Sequence, residues 1–158
     1  MEQYRVLVLK EVIEKGNYFD GDAVCYGGEY GQQVCYISKN GNEEPITGLL
    51  YELYKNSNLN YYCYYVEGNK HGQYVCFYED GEIKSIADMY NGAIHGSSTE
   101  WYEDGNKKSK GNYKYGFCEM MMKWNHEGIL VKEQLEPKEF DKLMIEKYER
   151  HERKLNGK

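Results

Sequence analysis

The residues that could do chemistry in this 158-residue chain are four histidines, five cysteines and the acid pairs Glu79-Asp80 and Glu103-Asp104. A zinc site needs Cys and His ligands at short fixed spacings. Here His71 and His95 stand 24 apart, and Cys25, Cys35, Cys63, Cys76 and Cys118 are scattered with no C-x-x-C pair. No metal and no cofactor is implied. A nucleophile needs a base and an orienting group. There is no G-x-S-x-G, and no cysteine has an identifiable His and acid beside it. Gly27-Gly28 lacks the lysine-bearing context of a phosphate loop. Each acid pair is followed by glycine, and Asp before Gly is turn chemistry. These pairs read first as solvated turns and second as partner contacts. Lys107, Lys108, Lys110 and Lys114 cluster near Tyr113 and Tyr115, as a patch for acidic lipid would; a solvated strand edge is the competing reading. The chemistry points to binding, and the chain reads as a non-enzyme.

The elements that carry these residues repeat every 24 positions. Gly48, Gly72 and Gly96 fall on the period, as do Gly68, Gly92 and Gly116, and Tyr54, Tyr78 and Tyr102. Several columns held at one spacing mean stacked copies of one supersecondary unit. Each unit predicts two strands: roughly 73–78, the turn at Asp80-Gly81, then 83–90, closed by Asn91-Gly92. Period-two alternation puts Tyr74, Cys76 and Tyr78 on one face and Gln73, Val75 and Phe77 on the other. The tyrosine column becomes a structural spine. Leu53, Phe77 and Trp101 are in register on the opposite face, with the acid pairs directly after the last two. Phe77, Trp101, Glu79, Asp80, Glu103 and Asp104 are therefore the candidate partner-binding residues.

Outside the clear copies the pattern fades. Gly31–Tyr36 echoes Gly72–Phe77 with a turn at Asn40-Gly41, and Tyr18-Phe19-Asp20-Gly21 echoes Tyr113–Gly116. Trp124–Gly128 echoes Tyr102–Gly105 with one residue inserted. Tyr4–Val12 alternates weakly and reads as an edge strand. After Pro137, residues Phe140, Leu143, Met144, Tyr148 and Leu155 form a helical stripe, with Glu146/Arg150 and Glu149/Arg153 as i,i+4 pairs. This helix either caps the last strand or covers the Phe77–Trp101 stripe through Phe140, Leu143 and Tyr148. Its mixed charges argue against membrane contact. The reading is one mainly β domain over 1–158: degenerate strands in 1–47, repeats in 48–134 and a C-terminal helix in 137–155. The architecture is an elongated antiparallel β-meander, with an open edge that leaves room for a homodimer.

Bulk composition agrees with binding. Net charge is −6, and 18 tyrosines stand against 4 phenylalanines. Mean hydropathy is −0.86. Tyrosine suits a thin sheet whose side chains are half buried. Acidity disfavours direct contact with nucleic acid and suits a basic protein partner. An odd cysteine count without a disulfide framework implies reduced thiols and a cytoplasmic setting. No signal peptide and no apolar run of membrane-spanning length, roughly 18 residues, is legible.

The unit G-x-Y-x-C-x-Y-E-D-G followed by M-Y-N-G, with the links Lys70-His71-Gly72 and Ile94-His95-Gly96, resembles the MORN repeat in its bacterial variant. The resemblance covers about 48–134 and implies stacked hairpins. It further implies a cytosolic antitoxin or immunity protein, the partner of a toxin or enzyme that often acts on nucleic acid. The alternative it implies is a lipid-associated or assembly scaffold.

Overall fold

A computed structural model describes residues 5–19, 24–29 and 31–157. In chain order these form α1 (Leu9–Lys15), β1 (Asn17–Tyr18), β2 (Val24–Gly27), β3 (Gln33–Ile37), β4 (Glu43–Pro45), β5 (Gly48–Leu53) and β6 (Leu59–Val66). Then come β7 (Asn69–Phe77), β8 (Ile83–Tyr90), β9 (Ala93–Trp101), β10 (Lys107–Lys114), β11 (Phe117–Trp124), β12 (Leu130–Gln134) and α2 (Glu139–Asn156). The fold is mainly β. Strands β5 to β12 run as an antiparallel meander in one nine-stranded sheet, with β1 added in parallel beside β5. Strands β2, β3 and β4 form a separate three-stranded sheet.

Two kinds of turn alternate, and each is fixed by sequence. At one end, Glu67-Gly68, Asn91-Gly92 and Tyr115-Gly116 have φ of 48° and 76°, 47° and 83°, and 52° and 84°. Positive φ at both central residues is the two-residue hairpin geometry that matches strand twist. Each of these glycines donates its N–H one hairpin back: Gly68 to Ile46 O, Gly92 to Lys70 O and Gly116 to Ile94 O. At the other end, Tyr78 donates its N–H to Glu82 O and accepts from Gly81 N–H, as Tyr102 does with Asn106 and Gly105. The tyrosine spine also closes through its hydroxyls. Tyr54 donates to Phe77 O at 2.8 Å, Tyr78 to Trp101 O at 2.8 Å and Tyr102 to Trp124 O at 3.0 Å. Every hairpin is thus pinned to the next at both ends.

The fourth turn holds no inserted residue, unlike the sequence reading of Trp124–Gly128, and the fourth copy is one residue shorter. Asn125 N–H donates to Ile129 O and Gly128 N–H to Asn125 O. Asn125 therefore stands where Tyr102 stands, and Trp124 where Trp101 stands. The pairing of β10 with β11 slips by one residue at Asn112/Tyr113, whereas β8 with β9 slips by two at Ala87/Met89. The missing residue is in that bulge.

The chain's own first third covers both faces of the early hairpins. One core holds Val12 of α1 with Leu49, Tyr51, Leu59, Tyr62, Val75 and Phe77. The Tyr62 hydroxyl accepts from Leu7 N–H and donates to Gln73 Oε1, each at 2.9 Å. The other core packs Val24, Val34 and Ile46 against Leu50, Cys63 and Tyr65.

Three expectations for this region are corrected. Residues 9–15 are helical where an edge strand was read; Tyr4, the start of that stretch, lies outside the described residues. Glu11 organises the helix start, accepting Val8 N–H and the Arg5 guanidinium, and its carboxyl is held below the usual range mainly by the Val8 N–H. Within Gly31–Tyr36 the strand β3 begins at Gln33, and Asn40-Gly41 does turn, but β3 belongs to the covering sheet and not to the stack. Tyr18 lies in the parallel strand β1, and the Asp20-Gly21 part of its echo lies outside the described residues.

Helix α2 packs on β11. Phe117 meets Phe140 and Tyr148, and Tyr148 stacks on Tyr115 at 5.2 Å. Glu149 accepts from Lys114 Nζ and Glu152 from the Tyr115 hydroxyl, both at 2.8 Å. The helix does not cover the Phe77–Trp101 stripe.

Candidate binding surface

Register places Val75, Ile86, Thr99, Lys110 and Met122 in one row across the sheet. The row begins under α1 and turns polar beyond it. Phe77, Trp101 and Trp124 form a parallel column on that same face. Phe77 is only 6% exposed and belongs to the core. It cannot anchor a partner as the sequence reading supposed, because Val12 and Tyr62 already occupy its surroundings. Trp101 and Trp124 lie past the reach of α1 and are half-buried. Lys107 is set over the Trp124 ring at 5.7 Å.

The acidic tips flank this column. Glu79, Asp80, Glu103 and Asp104 are all exposed. The two types of acid do different jobs. Asp80 Oδ1 accepts Glu82 N–H at 3.0 Å, and Asp104 Oδ1 accepts Asn106 N–H at 2.9 Å, so both aspartates build their turns. Asp104 also faces His126 Nδ1 at 3.4 Å, while the His126 ring stacks on Tyr102 at 3.7 Å. The backbone N–H of Asn106, first, and then His126 hold the Asp104 carboxyl below its ordinary range. The Glu79 carbonyl accepts from the Asn56 and Asn58 side-chain amides, each at 2.8 Å, but the carboxylates of Glu79 and Glu103 have no hydrogen-bond or ion-pair partner among the described residues. The negative field of the tips reaches the spine: the Tyr78 hydroxyl is pushed up first by burial, then by Glu103, Glu100, Asp104 and Asp80.

The four lysines are not one patch. Lys108 is 3.7 Å from Glu100 and lies over the Tyr102 ring, as Lys84 lies over Tyr78. Lys114 is bound to Glu149 at 2.8 Å and is 3.8 Å from Glu119. Only Lys107 and Lys110 share the Trp101 face.

The thiols and imidazoles are in structural settings. All five cysteines are free, with Cys35 and Cys63 buried. Burial pushes the Cys63 thiol up to about 12 and raises Cys35 and Cys118 as well. An activated nucleophile needs the opposite shift. His71, Tyr90, His95 and Tyr115 form a continuous ring-to-ring column, and His95 Nδ1 accepts Tyr115 N–H at 3.2 Å. Sequence reasoning missed Trp124 as a column member and His126 as a stacking partner. Aligning Asn125-His126-Glu127-Gly128 with Tyr102–Gly105 would have found Trp124, whereas His126 then stands at the position of Glu103, which gives no signal of stacking.

Among the described residues no helix is long and apolar enough to cross a membrane. Comparison with protein-family models, curated proteins and solved structures finds no match in any of the three.

Proposed function

We propose that this chain is a non-catalytic protein-binding module that engages a basic protein through its hairpin tips and the Trp101–Trp124 column. The observation that carries the reading is the pairing of free, exposed Glu79 and Glu103 with half-buried tryptophans on a sheet pinned at both ends. Exposed charge speeds and orients encounter, and a tryptophan on a rigid support is the usual energetic anchor. The partner is approached from the tip edge, because Lys107 and Lys110 make the middle of that face positive.

The resemblance to bacterial MORN-variant proteins supports a finer reading. The chain is a cytoplasmic antitoxin or immunity partner that occludes the active site of a basic toxin or enzyme acting on nucleic acid. Raised thiol pKa values and turn-building aspartates favour binding over catalysis. The scaffold alternative placed on Lys107, Lys108, Lys110 and Lys114 is weakened, since two of the four are committed to Glu100 and Glu149.

The test is photocrosslinking in the native cell. A photoreactive residue at Glu103 should capture a basic protein that the same residue at exposed Tyr64 does not. Identical capture at both sites would remove the tips as the binding edge.

A further inference from the structure

The register of the strands separates the five cysteines. Cys63 stands opposite Leu50 and Tyr74, Cys76 opposite Tyr61 and Ser85, and Cys118 opposite Tyr113. Cys25 of β2 and Cys35 of β3 stand directly opposite each other, and both are free thiols. Directly paired residues project to the same face of a sheet. Val24, Val34 and Tyr36 turn toward the core beneath the covering sheet, so alternation puts Cys25 and Cys35 on the side away from it. Backbone bonding sets their separation. Val34 N–H donates to Gly68 O, and Val34 O accepts from Ile46 N–H, so the polar groups of Val34 face away from β2. Those of Cys35, one residue on, therefore face β2, and Cys25 with Cys35 is a hydrogen-bonded pair. Such a pair holds its Cα atoms about 5.5 Å apart, inside the roughly 4.4–6.8 Å that a disulfide spans.

The structure assigns Cys25 and Cys35 as a reversible disulfide site, closed by exchange with a small disulfide of the glutathione class. Cys25 is half-buried and is the point of entry, whereas Cys35 is 1% exposed and is reached through its neighbour. The Cys25 thiolate attacks one sulfur of glutathione disulfide, whose S–S bond breaks and releases one glutathione thiolate. The Cys35 thiolate then attacks the Cys25 sulfur, forming the Cys25–Cys35 bond and expelling the second glutathione thiolate. The protons lost by the two protein thiols pass to the two glutathiones. The protein is thus oxidised by two electrons and the glutathione disulfide is reduced by two. Burial first, and then the neighbouring Cys25 and Glu43, raise the Cys35 thiol, which keeps its thiolate scarce and makes the second step the slower one. The Cys35 Sγ is turned toward Gly27, two residues along β2 on the same face, where a Cβ would stand 3.1 Å from it. The absent side chain leaves the sulfur room, and rotation about Cα–Cβ brings it over Cys25. Cross-strand neighbours stand about 4.5–5.5 Å apart at Cβ and a disulfide prefers about 3.8 Å, so closure draws the strands together and leaves the bond strained. A strained bond is the readily reduced, regulatory kind, which suits a chain whose other thiols stay reduced. On its other side Cys35 faces Pro45, so no third thiol competes among the described residues. The pair belongs to the covering sheet and not to the hairpin tips, so it stands whether or not the protein-binding reading holds.

The full-length protein, reduced and freed of reductant, is incubated with excess glutathione disulfide, quenched by alkylation and read by intact mass and peptide mapping. The monomer should lose the mass of two hydrogens, and its alkylatable thiols should fall by two from the original five. One linked peptide pair should join Cys25 to Cys35, and dithiothreitol should restore every thiol. Cys35→Ser should instead accumulate a glutathione adduct at Cys25 that does not resolve, and Cys25→Ser should leave Cys35 unmodified in the folded protein. The linked pair is read on the unaltered chain, so the test holds even if a variant does not fold. An unchanged mass, or a Cys25 adduct that persists in the unaltered protein, would overturn the proposal. So would a link through Cys63, Cys76 or Cys118, or a bond between two chains in place of one within the monomer.

Discussion

Replacing Tyr78 by Phe removes one atom, the hydroxyl that pins one hairpin to the next. That hydroxyl donates to Trp101 O at 2.8 Å. A net intramolecular hydrogen bond is worth about 1 kcal/mol. The site is half-buried, so water can reach the freed carbonyl and the loss should stay near that figure. Tyr78→Ala also deletes the ring. A fully buried tyrosine removes about 150–250 Å² from water; half of that at about 25 cal/mol per Å² gives roughly 2–3 kcal/mol, for a total of roughly 3–4 kcal/mol. Tyr102→Phe breaks the equivalent bond to Trp124 O. The double Phe variant should therefore lose about 2 kcal/mol, since the two bonds share no partner. The assay is urea unfolding followed by tryptophan fluorescence, with Trp101 and Trp124 reporting on the repeats that these bonds join. Lys108→Ala, which loses only an exposed ion pair and a distant ring contact, should cost within roughly 0.5 kcal/mol. A Tyr78→Phe loss below about 0.3 kcal/mol, or Tyr78→Ala no worse than Lys108→Ala, would refute the pinning role.

Ser57 has φ of 69° where the equivalent turns use Gly81 and Gly105; Ser57→Gly should stabilise by roughly 0.5–1 kcal/mol in the same assay, and Gly81→Ser should destabilise. Phe77→Ala should cost roughly 3–5 kcal/mol as a core cavity, whereas Trp101→Ala should cost clearly less, so equal melting shifts would contradict the division between covered and open parts of this face. Cys63 has its folded thiol pKa raised to about 12 by burial, which favours the neutral form. Its contribution is fully present below the unfolded value, about 8.5, and is lost as pH rises toward 12. The urea midpoint should fall across that window, and by less in Cys63→Ala. At pH 8 Ellman's reagent should reach Cys25, Cys76 and Cys118 before Cys63, and should count five thiols in urea.

The repeat was legible because its turns are local chemistry. Asp80-Gly81, Asn91-Gly92 and Tyr115-Gly116 state their own backbone conformations, and the tyrosine column keeps its spacing. Two kinds of information were not local. The stretch from Leu9 to Lys15 is too short for periodicity to separate helix from strand, although Glu11 placed three residues after Val8 and Gly16 at the end are helix-boundary signals. Whether Phe77 is covered depends on α1 folding back across some sixty residues of sequence, which no pattern around Phe77 records. The same holds for the tips and the lysines. Sequence placed Asp104 and Glu103 together, but only the Asn106 N–H and His126 separate the turn-builder from the free acid. Lys108 and Lys114 looked like neighbours of Lys107 until Glu100 and Glu149 were seen to hold them.

The central claim is that the free acids at the tips guide a basic partner and Trp101 holds it. Stopped-flow binding with the partner captured by the Glu103 crosslink tests this most directly. Glu79→Lys/Glu103→Lys leaves the turn-building aspartates intact. It should lower the association rate and flatten its salt dependence, with dissociation little changed. Trp101→Ala, at unchanged association rate, should speed dissociation by roughly thirtyfold or more, the equivalent of about 2 kcal/mol. Unaltered kinetics in both variants, with melting temperature showing them folded, would contradict the account.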